Sequence, residues 1–75
     1  MADPDRIATL IVEDDPMFRS RFEEILSRAD GYRIVASAAS VADGIAAARA
    51  NRIDLLVVDL GLPDGDGTAV IREIS

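Results

Sequence analysis

Three short apolar runs alternate with amphipathic segments along the chain, and their composition predicts strands. They read Ile-Ala-Thr-Leu-Ile-Val at 7–12, a weaker run at 32–36, and Asp-Leu-Leu-Val-Val-Asp-Leu at 54–60. Nearly continuous runs of this length, rich in β-branched residues, are typical of parallel strands covered on both faces. Arg33 in the second run indicates an edge strand. The third run is the most hydrophobic, and we expect it to be central or fully covered.

The segment after the first run has the periodicity of an amphipathic helix. Pro16 suits a first helical turn, and Gly31 is the expected left-handed cap that follows the last turn. Phe18, Phe22 and Ile25 recur at helical spacing, with charged residues at most other positions. We therefore predict a helix that begins near Pro16 and places its aromatic residues in the core.

Two further helices are expected. The segment from Ser40 to Asp43 has the spacing of a capping box, and a thin, alanine-rich apolar stripe follows it toward Asn51. Residues 61–67 are rich in Gly and Asp and form a polar turn, after which a third helix covers 68–75. The order β-α-β-α-β-α predicts an α/β fold with right-handed crossovers and a parallel sheet.

Composition narrows the chemistry that the chain can perform. Its 75 residues carry a net charge of −6 and include no Cys and no His, and all eight basic residues are Arg. These counts exclude a disulfide, a thiolate or His metal site, a Ser-His catalytic pair and a catalytic Lys. So acidic a chain is a poor nucleic-acid binder, because phosphate contacts need a basic patch. A free-standing enzyme such as a phosphatase is disfavoured, because no acid–base residue with a tunable neutral pKa is present.

The sequence has no recognisable membrane or export segment. No apolar run approaches the ~20 residues of a membrane span. Residues 1–6 lack the basic and apolar regions of a signal peptide. We therefore expect a cytoplasmic protein that does not contact a membrane.

Acidic residues follow two of the predicted strands. Glu13, Asp14 and Asp15 come directly after the first strand, and Asp59 lies at the end of the third. If the strand order is 2-1-3, the first and third strands are neighbours, and Asp59 then meets the Glu13/Asp14 pair at the carboxyl edge where such sheets bind ligands. Clustered carboxylates repel one another unless a cation joins them, and oxygen ligands alone favour Mg²⁺ or Mn²⁺.

Such a cluster has two interpretations. A carboxylate beside a divalent cation can attack phosphorus and form an aspartyl phosphate. Alternatively, the acidic run 13–15 only caps the helix that follows it.

Two motifs resemble those of a known family. They are Ile-Val-Glu-Asp-Asp-Pro at 11–16 and Val-Val-Asp-Leu-Gly-Leu-Pro-Asp-Gly-Asp-Gly at 57–67. Both are similar to the receiver domain of bacterial two-component response regulators, most of all to receivers linked to helix-turn-helix output domains. The resemblance implies a flavodoxin-like fold with a three-stranded sheet of order 2-1-3 and three helices. It implies one truncated domain over 1–75 that lacks the last two of the family's five β/α units.

The resemblance also implies roles for individual residues. Asp59 would be the phosphoacceptor of a phosphorelay and would receive its phosphoryl group from a histidine kinase. Glu13, Asp14 and Asp59 would hold Mg²⁺, with Asp14 a direct ligand and the backbone carbonyl of Gly61 a further one. A full receiver also has a Ser or Thr after its fourth strand and a Lys after its fifth, and these 75 residues include neither.

The predicted strand order has a consequence for assembly. It leaves the most apolar strand, 54–60, at an edge of the sheet, where an unpaired backbone is a template for another chain. We therefore expect a homodimer in which two copies of this strand pair antiparallel. An alternative function follows, in which the truncated receiver self-associates through its third strand independently of phosphate.

Overall fold

A computed structural model describes residues 6–74 of the chain. The predictions for residues 1–5 and for Ser75 at the end of the third helix lie outside the described residues. Across residues 6–74, no helix is both long enough and apolar enough to cross a bilayer.

A three-stranded parallel sheet of order β2-β1-β3 forms the centre of the fold, as the sequence predicts. The strands are β1 (Ile7–Val12), β2 (Tyr32–Ala38) and β3 (Leu55–Val58), and the helices are α1 (Pro16–Arg28), α2 (Val41–Ala50) and α3 (Thr68–Ile74). Helix α1 packs mainly on β1 and β2, whereas α2 contacts both strands and α3. Because the crossovers through α1 and α2 run in opposite directions along the sheet, right-handed connections place these two helices on opposite faces.

The polar turn predicted at 61–67 contains a short antiparallel hairpin. Its strands are β4 (Gly61–Leu62) and β5 (Gly65–Asp66). Leu62 is buried. Gly65 has a φ of +152°, a backbone conformation that residues other than glycine rarely adopt. The hairpin is therefore anchored to the core on one side while its tip stays in solvent.

The sheet face under α2 and α3 is closed. The buried residues of its core are Leu10, Val12, Ala38, Leu62 and Val70. Alternation along a strand places Leu10 and Val12 on the same face, and both are fully inaccessible to solvent.

Helix α2 lies unusually close to the sheet at Gly44. A Cβ atom added there would lie 3.1 Å from Cγ2 of Val12 and 3.1 Å from Cγ2 of Val70. The carboxyl-terminal end of α2 is tied to α3 by an ion pair between Arg49 and Glu73. Helix α2 is thus fixed to both β1 and α3.

The helix boundaries follow the predicted capping signals. Asp15 is the N-cap of α1 and accepts a hydrogen bond from Met17 N at 2.8 Å. Ser40 caps α2 and accepts one from Asp43 N at 3.1 Å, as the capping-box spacing indicates. Gly31 follows α1 with a φ of +94°.

The predicted burial of the α1 aromatic residues is wrong. Phe18 is 53% exposed, Phe22 36% and Ile25 64%, and α1 has no buried residue. The half-buried side of the helix instead includes Arg19 and Leu26. The physical reason is that α1 packs on β1 and β2 through the side that carries Arg19 and Leu26, which leaves Phe18 and Ile25 outside that contact.

The prediction that the third strand is central or fully covered is also wrong. Strand β3 pairs only with β1 among the described residues, and all four of its residues are half-buried. The strand order itself, which the sequence analysis used to predict an apolar edge, is confirmed.

Candidate metal centre

Backbone hydrogen bonds continue past the ends of β1 and β3 and place their acidic residues together. Glu13 N donates to Ala38 O at 2.9 Å, and Asp59 N donates to Val12 O at 2.9 Å. Both backbones are therefore held in the sheet, at its carboxyl edge. This is the location in an open α/β sheet where ligands bind.

The structure brings Glu13, Asp14 and Asp59 into one cluster, as the sequence predicts. Each offers a carboxylate oxygen, and the three oxygens lie within 4.8 Å of one another. Glu13 is only 9% exposed, Asp59 is half-buried and Asp14 is exposed. The cluster is thus shielded from solvent at Glu13 and open to solvent at Asp14.

The acidic residues that follow β1 have two different roles: one caps α1, and the other two lie beside Asp59. Asp15 caps α1, which is the alternative interpretation of that run. Glu13 and Asp14 instead meet Asp59. The capping interpretation therefore holds for Asp15 alone, and the phosphoryl-transfer interpretation of the cluster stays a prediction.

The electrostatics of the cluster favour a cation. Burial raises the pKa of the Glu13 carboxyl, and the negative charges of Asp59 and Asp14 raise it further. A hydrogen bond from Asp15 N to Glu13 Oε1, 3.2 Å long, opposes this rise in pKa. A divalent cation would remove the repulsion that these carboxylates exert on one another.

The donor set fits a hard divalent ion. All three side chains offer oxygen, the element that Mg²⁺ and Mn²⁺ prefer. Opposite ligands of Mg²⁺ are about 4.2 Å apart, twice a metal–oxygen distance of about 2.1 Å. The three oxygens, all within 4.8 Å of one another, are close enough together to share one such ion.

The hairpin packs directly against Asp59. Gly61 N donates to Asp59 Oδ1 at 3.0 Å, which fixes one oxygen of that carboxylate. A Cβ atom on Gly67 would lie 2.3 Å from the carbonyl oxygen of Asp59, so only glycine fits there. Gly67 N also donates to Leu60 O at 3.1 Å. The hairpin therefore determines where Asp59 and Gly61 lie relative to each other.

Two residues near the site were missed by the sequence analysis. Arg19 Nη1 donates to the carbonyl oxygen of Glu13 at 2.9 Å, although its helical position indicated a solvated side chain. Asp64 accepts hydrogen bonds from Val41 N at 2.7 Å and from Ala42 N at 3.0 Å. Neither contact has a local sequence signal, because each joins separate elements of the fold.

A family model described as the response regulator receiver domain matches residues 9–75. The match covers both motifs and all the residues of the acidic cluster.

Curated proteins similar to the chain include transcriptional regulators and an enzyme. The chain is 46% identical over 65 residues to the transcriptional regulatory protein AfsQ1 of Streptomyces coelicolor, covering 87% of the chain and 28% of that protein. It is 42% identical over 65 residues to the KDP operon transcriptional regulatory protein KdpE of Escherichia coli, with the same coverage of each. It is 30% identical over 69 residues to a protein-glutamate methylesterase/protein-glutamine glutaminase of Alkalilimnicola ehrlichii, covering 92% of the chain and 18% of that protein. The chain therefore spans less than a third of the length of these relatives.

Proposed function

The chain belongs to the response regulator receiver domain family, and we propose that Asp59 is the phosphoacceptor of a two-component phosphorelay. The phosphoryl group would come from a phosphohistidine of a histidine kinase. The single observation that supports this role is the cluster of Asp59 with Glu13 and Asp14 at the carboxyl edge of the sheet. A carboxylate is a competent nucleophile toward phosphorus when its charge and that of the phosphoryl oxygens are neutralised together.

The chemistry assigns a separate task to each oxygen of Asp59. Gly61 N holds Oδ1, which leaves Oδ2 to attack phosphorus. In the transfer, a bond forms between Oδ2 and phosphorus while the bond between phosphorus and the imidazole nitrogen of the donor breaks. The electron pair of the broken bond stays with the imidazole.

Glu13, Asp14, Asp59 and the carbonyl of Gly61 would hold Mg²⁺ or Mn²⁺, with the exposed Asp14 as a direct ligand. When bound, the ion neutralises charge shared by the acceptor carboxylate and the phosphoryl oxygens. The chain contains no Lys, so the cationic side chain that the family places beside the phosphoryl group does not come from these 75 residues.

Phosphorylation by a small-molecule donor tests the proposal. The wild-type chain is treated with acetyl phosphate and Mg²⁺, and its intact mass is measured. We expect one phosphoryl adduct, absent after chelation of the metal and absent in Asp59→Asn. Asp66→Asn is the matched control, because it alters another exposed aspartate of the same loop and keeps an oxygen to accept from Thr68 N. No adduct on the wild type, or an adduct that persists in Asp59→Asn, would overturn the assignment.

We also propose a homodimer through β3. The outer edge of β3 is unpaired among residues 6–74. Beside it lies an apolar groove between β3 and α3, lined by Leu56, Val58, Ile71 and Ile74. A second copy of β3 would satisfy that edge and extend the sheet across a twofold axis. Sedimentation equilibrium at low micromolar concentration should report a dimer, and a folded monomer under those conditions would contradict it.

Control of transcription is proposed only for a longer protein that contains this chain. Two relatives are named as transcriptional regulatory proteins, and the chain covers 28% of each. In such a protein the receiver would act as a signalling module rather than as an enzyme or a nucleic-acid-binding surface. The cytoplasmic location stays a prediction from composition.

A further inference from the structure

Two aspartates of the hairpin loop cap two different helices. Asp66 Oδ1 accepts from Thr68 N at 3.0 Å and so caps α3, the helix that immediately follows it. Asp64 instead reaches across the fold to the first turn of α2. Its carboxylate bridges to a helix that begins 23 residues earlier in the chain.

Helix α2 already has a local cap, so Asp64 does something more than begin the helix. Ser40 Oγ accepts from Asp43 N, and Ser40 O accepts from Gly44 N at 2.9 Å. Asp64 accepts from the two remaining amides of the first turn, those of Val41 and Ala42. These two hydrogen bonds also lower the pKa of the Asp64 carboxyl, because they stabilise its charged form.

Each end of the contact is also held by other interactions. On one side, α2 is fixed by the close approach of Gly44 to the sheet and by the ion pair between Arg49 and Glu73. On the other side, the hairpin contacts Asp59 through Gly61 N and Gly67. Among the described residues, the carboxylate cluster does not include Asp64. The contact thus joins a rigid helix to the loop that surrounds the candidate phosphoacceptor.

We propose that Asp64 is a positioning residue that fixes the hairpin loop, residues 60–67, against α2 and thereby sets the place of Gly61 beside Asp59. The inference rests on the proposed function, because Gly61 and Asp59 are assigned there to the metal and phosphoryl site. Its consequence is that Mg²⁺ binding depends on a carboxylate that does not touch the ion. Residues that orient metal ligands typically change affinity by about 10- to 100-fold when removed.

A pair of capping variants separates positioning from simple stabilisation of α2. Asp64→Ala and Ser40→Ala each remove hydrogen bonds from the first turn of α2, but only Asp64→Ala also removes a contact between α2 and the loop. Urea unfolding measures the shared effect on stability. Mg²⁺ affinity from calorimetry and amide hydrogen exchange at Gly61 without metal measure the effect on the loop.

We expect Asp64→Ala to weaken Mg²⁺ binding about tenfold and to speed exchange at Gly61, as loss of an orienting contact does. Ser40→Ala should leave the Mg²⁺ affinity and the exchange rate at Gly61 within about twofold of the wild-type values, although it also removes a helix cap. Asp64→Asn keeps one acceptor oxygen and should fall between the two, and it replaces Asp64→Ala if that variant does not fold. Equal Mg²⁺ affinity and equal Gly61 exchange in the Asp64 and Ser40 variants would overturn the proposal.

The result for the capping variants can be distinguished from the result of the phosphorylation experiment. Hydrogen exchange at Gly61 requires neither metal nor phosphoryl donor. If wild-type protein forms no Asp59 adduct while Asp64→Ala still loosens Gly61, the function assigned to Asp59 fails and the positioning contact stands. If the adduct forms normally and the two capping variants behave alike, only the positioning role fails.

Discussion

The helices on the two faces of the sheet bury their apolar residues to different extents. Under α2 and α3, Leu10, Val12 and Val70 are fully inaccessible to solvent. On the α1 face, Ile11 of β1 is equally inaccessible, but Phe18 and Ile25 of the helix are 53% and 64% exposed. The face with the smaller residues on its helix is the closed one. Apolar character of a helix stripe therefore does not decide burial, because a stripe is buried only where another surface meets it.

The missing side chain at Gly44 of α2 explains part of the difference in burial between the two helix layers. Gly44 lets α2 approach until the side chains of β1 and α3 touch its backbone. Helix α1 covers β1 and β2 but leaves β3 mostly uncovered on its side. Alternation and register place Leu55 and Val57 of β3 on that side, and both are half-buried. The α1 face is thus an apolar surface only partly covered by residues 6–74.

The largest expected change in the free energy of unfolding comes from truncating a buried side chain under α2 and α3. Val70→Ala should lower the free energy of unfolding by about 3 kcal/mol, because it removes buried methyl groups and leaves a cavity. Ile25→Ala, at an exposed position of α1, should lower it by less than about 0.5 kcal/mol. Urea denaturation of the two variants measures this contrast. Similar losses in both would mean that the two faces are equally packed.

A second test adds an atom to the closed face. Gly44→Ala places a Cβ 3.1 Å from two valine methyl groups, which should destabilise by about 1–3 kcal/mol through overpacking. The better helix propensity of Ala offsets about 1 kcal/mol of this. The net result should be a loss of about 1 kcal/mol by thermal or urea unfolding. Ala46→Gly, at an exposed position of the same helix, measures the propensity contribution alone. A net gain in Gly44→Ala would show that the closed face has spare room.

Sequence reasoning succeeded where a signal is local or periodic. The caps Asp15 and Ser40 could be predicted from capping spacing, and the central position of β1 from the resemblance to the receiver family. The meeting of Glu13 with Asp59 followed from strand order, since the carboxyl ends of adjacent parallel strands share one edge of the sheet.

Sequence reasoning failed where burial depends on how many elements are present. The spacing of Phe18 and Phe22 correctly indicates an apolar stripe, but it contains no information about whether anything covers the stripe. The contact of Asp64 with α2 could not be predicted for a related reason. An aspartate in a glycine-rich turn has many local partners, and only the folded hairpin shows that its carboxylate reaches Val41.

The acidic cluster belongs to neither face and provides a test that depends on charge rather than on packing. Asp59→Asn keeps an oxygen to accept from Gly61 N and removes one of three close negative charges. At neutral pH without metal we expect a gain of about 1 kcal/mol in unfolding free energy, the size of one such repulsion in a water-like medium. Urea denaturation with and without Mg²⁺ measures it, and a loss of stability without metal would contradict the repulsion.

The pH dependence of this gain has a definite sign. Because the pKa of Glu13 is raised in the fold, the folded protein binds that proton more tightly than the unfolded chain. Metal-free wild-type protein therefore gains stability from this group as the pH falls through the folded pKa toward the unfolded pKa, and loses it as the pH rises through the folded pKa. The advantage of Asp59→Asn should accordingly shrink as the pH is lowered and Glu13 is protonated.

The smallest expected effect is the most direct test of the open face. Phe18→Ser replaces a large apolar side chain that the sequence pattern assigned to the core and that is 53% exposed in the fold. If residues 6–74 leave it uncovered, the unfolding free energy should change by less than about 0.5 kcal/mol. A buried aromatic would instead lose about 3–5 kcal/mol on truncation. Urea denaturation at low protein concentration, where the proposed β3 pairing contributes least, distinguishes these values. The larger loss would place Phe18 in a packed core and remove the difference between the two faces.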